Sequence, residues 1–133
     1  MLKIMLIIAA IVLALHGLIH LMGTAVYMKL AVIQQLPYKT TVLGGRWELG
    51  AGGMALFGAL WLVPAIGFVV AAVALWLGAT WWQPLLFSVT LFSLALTVLD
   101  WNIAFAGVVV NLVILALLWL EPRFTSGSAL WAK

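Results

Sequence analysis

Two histidines four positions apart, His16 and His20, sit near the middle of an apolar run covering residues 2–33. Imidazole donates and accepts hydrogen bonds, exchanges protons near neutral pH and ligates metals. An ionisable pair at that depth in hydrocarbon is costly and marks a functional site by default. Four uses compete. Each ring can bond a Ser, Thr or Asn of a neighbouring helix and act as packing glue. The pair can hold one metal ion, as histidines at i and i+4 do. A single haem suits them less, because its two axial ligands lie on opposite faces of the ring. They can also do acid–base work on a lipid-soluble substrate, or relay protons. A metal site normally adds a carboxylate, as ligand or to orient one. The candidates are Asp100 near a span end and Glu48 in a loop, and neither is expected to reach His16.

Other polar residues recur at helical spacing. His16, His20, Thr24 and Tyr27 share one face of the first helix, with Gly17 and Gly23 thinning it nearby. Thr90, Ser93, Thr97 and Asp100 make a second stripe, and Asn111 lies inside the last apolar segment. Polar side chains in hydrocarbon turn inward to find partners. The candidate intramembrane site is therefore His16, His20, Thr24, Ser93, Thr97, Asp100 and Asn111, with His16 and His20 as the metal candidates. No pattern around Ser93 or Thr97 marks a nucleophile. Both hydroxyls are expected to bond back to a carbonyl one turn earlier. The glycines at 44, 45, 50, 52 and 53 lack the G-x-x-x-x-G-K-[ST] order of a phosphate loop. These residues name no catalytic group, substrate or cofactor.

The elements that must position them lie in a membrane. The chain has 133 residues, 68% hydrophobic and 7% charged. A soluble domain carries about 25% charged residues, so this one cannot cover a water-facing surface. A single integral membrane domain over 1–133 is expected, with the lipid bilayer as its first partner. The net charge of +3 is scattered. It fits lipid head-group contact and excludes a nucleic-acid patch, which clusters its cations. With no cysteine, thiolate and disulfide chemistry are excluded. The eight tryptophans read as anchors at the membrane–water interface.

The expected fold is an all-α, up-down transmembrane bundle of four helices, spanning about 3–28, 53–79, 85–100 and 104–120. The first run exceeds the length of a signal-peptide core and reads as a retained span. Residues 41–49 fit a short extramembrane hairpin with a type I′ turn at Gly44-Gly45, or an irregular Gly-rich loop. Pro64 interrupts the second span. One helix kinked there is favoured over two short spans at 43–63 and 65–81, because a surface turn at Val63-Pro64-Ala65 would be more polar. The tail at Thr125-Ser126-Gly127-Ser128 reads as loose. Lys3, Arg123 and Lys133 fall on one side, and Lys29, Lys39 and Arg46 on the other. The positive-inside rule is thus tied, with a lean toward cytoplasmic termini in an inner (plasma) membrane.

His16-Gly17-Leu18-Ile19-His20-Leu21-Met22-Gly23 resembles the H-G-x-I-H-x-x-G opening of a family of small bacterial integral membrane proteins. Ser93 through Trp101, then Ala104-Phe105-Ala106-Gly107 and Asn111, resemble that family's third-span ending, its W-x-x-A-x-x-G turn and the Asn of its last span. The resemblance implies four spans and brings no activity with it. Members often carry an Asp just after the Trp, where this chain has Asn102, its acid being Asp100. The leading expectation is a structural or accessory component of a larger membrane complex or homo-oligomer. The alternative is a His-centred site for a metal, haem or lipid-soluble small molecule. A channel or carrier needs a hydrated path, which a charge-poor interior does not favour.

Overall fold

The computed structural model describes residues 1–125, with the side chains of 1–121. The tail from Ser126 on, including Lys133, lies outside the described residues, as does the side chain of Arg123. Helix α1 is Leu2–Tyr27. Strands β1 (Thr41–Val42) and β2 (Trp47–Glu48) follow. Then come α2 (Gly50–Leu60), α3 (Leu62–Leu77), α4 (Trp82–Leu99) and α5 (Trp101–Thr125). Four stretches are long and apolar enough to cross a membrane: Leu2–Tyr27, Gly50–Leu77, Trp82–Leu99 and Trp101–Glu121. The chain is an all-α, multi-pass bundle. Helices form here because each closes its own backbone hydrogen bonds, which hydrocarbon cannot do for it.

Punctuation in the sequence sets the ends. At the close of α1, Lys29 adopts φ 57°, and Leu30 N–H bonds Ala25 C=O at 2.7 Å. Gly78 does the same after α3 with φ 68°, and Ala79 N–H bonds Ala74 C=O at 2.9 Å. Both are left-handed caps that satisfy carbonyls a helix end would strand. The second span breaks at Trp61, three residues before the expected kink at Pro64. The proline has no N–H to give the Leu60 carbonyl one turn back, and its ring pushes that carbonyl aside. The disturbance therefore surfaces at 60–61, where Trp61 N–H bonds Gly58 C=O in a tighter turn at 3.2 Å. The chain still runs on as one span rather than two.

The hairpin is present, with Thr41 opposite Glu48 and Val42 opposite Trp47. Its turn differs from the two-residue type I′ expected. Leu43, Gly44 and Gly45 form a short 3₁₀ turn with φ of 53°, 65° and 87°. Three left-handed residues in a row require glycine wherever possible, and Leu43 carries the strain. Its Cβ-bearing neighbour Val42 is buried beside Leu36, so the extramembrane segment is anchored to the bundle end.

Two apolar clusters fill the bundle. One holds Ala10, Leu13, Phe68, Ala71, Ala72, Leu75, Leu86 and Val89. The other holds Val26, Tyr27, Leu36, Val42, Met54, Phe57, Trp61 and Leu96. Between them, on α1, α4 and α5, lie His16, His20, Ser93 and Asn111. The kinked part of the second span runs past the same level. There α1 packs most extensively on α3. A Cβ on Gly17 would lie 2.9 Å from both Ala65 O and Phe68 Cβ, so only glycine permits this approach. Gly17→Val is expected to lower the unfolding free energy by about 1–3 kcal/mol through overpacking. Ile11→Val, on the exposed face, should change it by less than about 0.5 kcal/mol. Denaturant titration of the protein in micelles checks both, and equal effects would remove the close approach from the account.

Candidate functional site

Each polar stripe turns inward because no acceptor exists in the lipid. His16 is 7% exposed, His20 2%, and Ser93 and Asn111 are fully buried. His16 Nε2 donates to Asn111 Oδ1 at 3.2 Å. Asn111 Nδ2 donates to Ser93 Oγ at 2.9 Å and to Thr97 Oγ1 at 3.2 Å. His20 Nδ1 donates to the His16 carbonyl at 2.8 Å. With that nitrogen carrying the hydrogen, Nε2 of the neutral ring accepts, and Ser93 Oγ donates to it at 2.7 Å. The result is a ring of hydrogen bonds that leaves the His16 side chain and returns to the His16 backbone. Its two imidazoles are opposite tautomers, Nε2–H on His16 and Nδ1–H on His20.

Aromatic rings wall this circuit. The His16 and His20 rings stand at 90°, with centroids 4.9 Å apart. Phe68 meets His16 edge-on at 4.7 Å, and Trp61 lies 5.3 Å from His20. Trp61 fills the space where Gly23 has no side chain, since a Cβ there would fall 2.6 Å from the ring. In that seat its indole N–H is buried with no hydrogen-bond acceptor among the described residues.

Five of the seven candidates thus come together: His16, His20, Ser93, Thr97 and Asn111. Thr24 does not join, because its hydroxyl donates to Gly58 C=O at 2.9 Å and ties α1 to α2. Asp100 sits at one end of the bundle, 1% exposed, where Tyr27 Oη and Lys39 Nζ both donate to it. Thr97 bonds back to Ser93 C=O at 2.9 Å and Thr90 to Leu86 C=O at 2.6 Å, as span hydroxyls do. Ser93 departs from that expectation by bonding across to His20. Sequence reasoning missed Lys39 as the partner of Asp100. The available signal was charge, since a carboxylate on an inward stripe needs a cation and the adjoining loop holds few.

For a metal, the two imidazoles lack company. No group of three or more His, Cys, Asp or Glu side chains is assembled among the described residues. Nε2 of each ring is already engaged, by Asn111 and by Ser93. Chemically, the arrangement offers one hydroxyl held against an oriented imidazole, and a set of cross-helix bonds joining α1, α4 and α5.

Comparison of the chain with protein-family models, with curated proteins and with solved structures found no match in any of the three.

Two predictions follow from the bonding pattern. Asn111→Ala strands the buried His16 Nε2–H and takes one bond each from Ser93 and Thr97, whose hydroxyls keep others, and should cost about 1–3 kcal/mol of stability. A double-mutant cycle of His20→Ala with Ser93→Ala should return a coupling of about 0.6–2 kcal/mol; additive losses would mean the 2.7 Å contact contributes nothing. At the bundle end, Lys39→Met leaves a buried carboxylate without its cation and should destabilise by about 1–3 kcal/mol. Adding Asp100→Asn should recover much of that loss, and a further loss in the double variant would overturn the ion-pair account.

Proposed function

We propose that this chain is a structural or accessory component of a membrane assembly, in which the polar circuit at mid-membrane holds the helices in register. The observation that carries this reading is that the circuit is spent on itself. His16 Nε2, the Asn111 carboxamide, the Ser93 hydroxyl and both ring nitrogens of His20 are bonded within it. A buried polar group with a partner fixes geometry, because any slip between helices strands it. The fourth span favours an assembly role as well. Its most apolar window is 6% buried by its own chain, against 44% for the second span, so one flank is available to lipid or to another membrane protein.

The likeness to small four-span bacterial proteins bears on the number of spans and brings no activity. The residues that carry it, the two histidines, the Asp100-Trp101 ending and Asn111, include those that tie the spans together. An inner (plasma) membrane location with cytoplasmic termini is part of the same proposal.

A second reading rests on one contact. Ser93 Oγ donates to His20 Nε2, and His20 is oriented by the His16 carbonyl, the order of hydroxyl, base and orienting group used for acyl transfer. In that reading the site acts on a lipid-soluble ester. Ligation of a metal or haem by His16 and His20 is a weaker variant, since both nitrogens of His20 are already bonded and His16 has only Nδ1 to offer.

Purification under mild detergent with chemical cross-linking separates these readings. The accessory role predicts stoichiometric recovery in a larger complex or homo-oligomer, normal metal content and no visible absorption band. His16→Ala and His20→Ala should then loosen the assembly. A monomer that carries a bound metal or chromophore, or that is labelled at Ser93 by an apolar serine-directed phosphonate, would refute the accessory role.

A further inference from the structure

A cleft of about 410 Å³ opens where the hairpin turn meets the junction of α4 and α5. Leu43, Gly44, Arg46, Val98, Trp101 and Asn102 line it. It lies at the end of two membrane spans, so its mouth is at head-group level. Arg46 is exposed there, and the ion pair formed among the described residues joins Lys39 to Asp100 instead. The neighbouring acid, Glu48, accepts the Gly50 N–H at 2.8 Å through one oxygen and forms no ion pair among the described residues. The Arg46 guanidinium therefore has five donors and, among the described residues, no carboxylate at ion-pair distance.

The rest of the cleft complements that charge. Asn102 brings a carboxamide so close to the turn that a Cβ on Gly44 would lie 3.1 Å from its Nδ2. Trp101 and Asn102 open α5, and their backbone N–H groups are among those an α-helix leaves without intrahelical acceptors. Leu43 and Val98 supply an apolar wall, 37% and 44% exposed. Trp101, 54% exposed, has the amphipathic ring that settles at this depth. A cation, a carboxamide and an apolar floor at the lipid interface match a phosphodiester whose glycerol and acyl chains continue into the bilayer.

We infer that this cleft binds the phosphate of an anionic phospholipid, with Arg46 as the charge partner and Asn102 as the polar one. Arginine suits a phosphate because its planar fork donates two parallel hydrogen bonds. The bound lipid seals the flank of the hairpin turn, whose left-handed residues otherwise face the head-group layer. This inference is independent of the accessory role, since it concerns the membrane surface and not the mid-membrane circuit.

Native mass spectrometry of the full chain, released from micelles holding equal phosphatidylglycerol and phosphatidylcholine, tests it. One retained phosphatidylglycerol is expected, favoured about fivefold over phosphatidylcholine, the ratio that one interfacial cation supplies. Arg46→Gln should abolish the preference and Asn102→Ala should reduce it, while Lys3→Gln at the opposite end should leave it intact. Equal retention of both lipids, or a preference that survives Arg46→Gln, overturns the site. Millimolar inorganic phosphate added as a competitor should not displace the lipid. Full displacement would assign the cleft to free phosphate and overturn the lipid identity.

Discussion

Hydrocarbon offers a polar group nothing to bond, and this constraint organises the molecule. The chain places two imidazoles, a carboxamide and several hydroxyls at depths where water is absent. Each must be met by another part of the chain, so α1, α4 and α5 are tied to one another at their middles. Apolar packing alone would not do this in a bilayer, because lipid tails are as apolar as leucine. The hydrogen bonds supply direction where the hydrophobic effect supplies none. The apolar clusters on either side then fill the space between helices whose relative heights are already set.

The proline break fits the same plan. Pro64 sits near the level of Gly17 and Phe68, where α1 and the second span come closest. The tighter turn at Trp61 redirects the chain so that α2 can receive Thr24 at Gly58 and Tyr27 at Phe57 while α3 packs along α1 toward the other end. The Asp100 cluster closes the Tyr27 end. Tyr27 from α1, Lys39 from the connecting segment and Asp100 from the α4–α5 corner meet in one place, fastening an extramembrane segment to three otherwise separate elements.

Much of this was legible in the sequence because hydrocarbon enforces a simple rule. Polar residues at spacings of three and four must share an inward face, and that locates His16, His20, Ser93, Thr97 and Asn111 before any coordinates exist. The four spans follow from runs of apolar residues for the same reason. What was not legible depends on chain paths outside the membrane. Lys39 lies in a segment with no periodicity, so nothing local says that it folds back onto Asp100. The turn at Leu43 escaped because a non-glycine residue at positive φ contradicts local preference and is held there by the packing around it. Ser93 and Thr97 look alike in sequence and both accept from Asn111, yet one hydroxyl donates across to His20 and the other back along its own helix. The difference is which of them His20 can reach, a matter of helix separation.

The hydrogen-bond ring of His16, Asn111, Ser93 and His20 has a fixed sense of rotation. It ends on a carbonyl, which can receive a hydrogen but has none to pass on, and it runs through an amide that holds its hydrogens at neutral pH. Turning hydroxyls cannot reverse it. The four side chains therefore admit a single assignment of donors and acceptors, and the waist of the bundle has a handedness as well as a position.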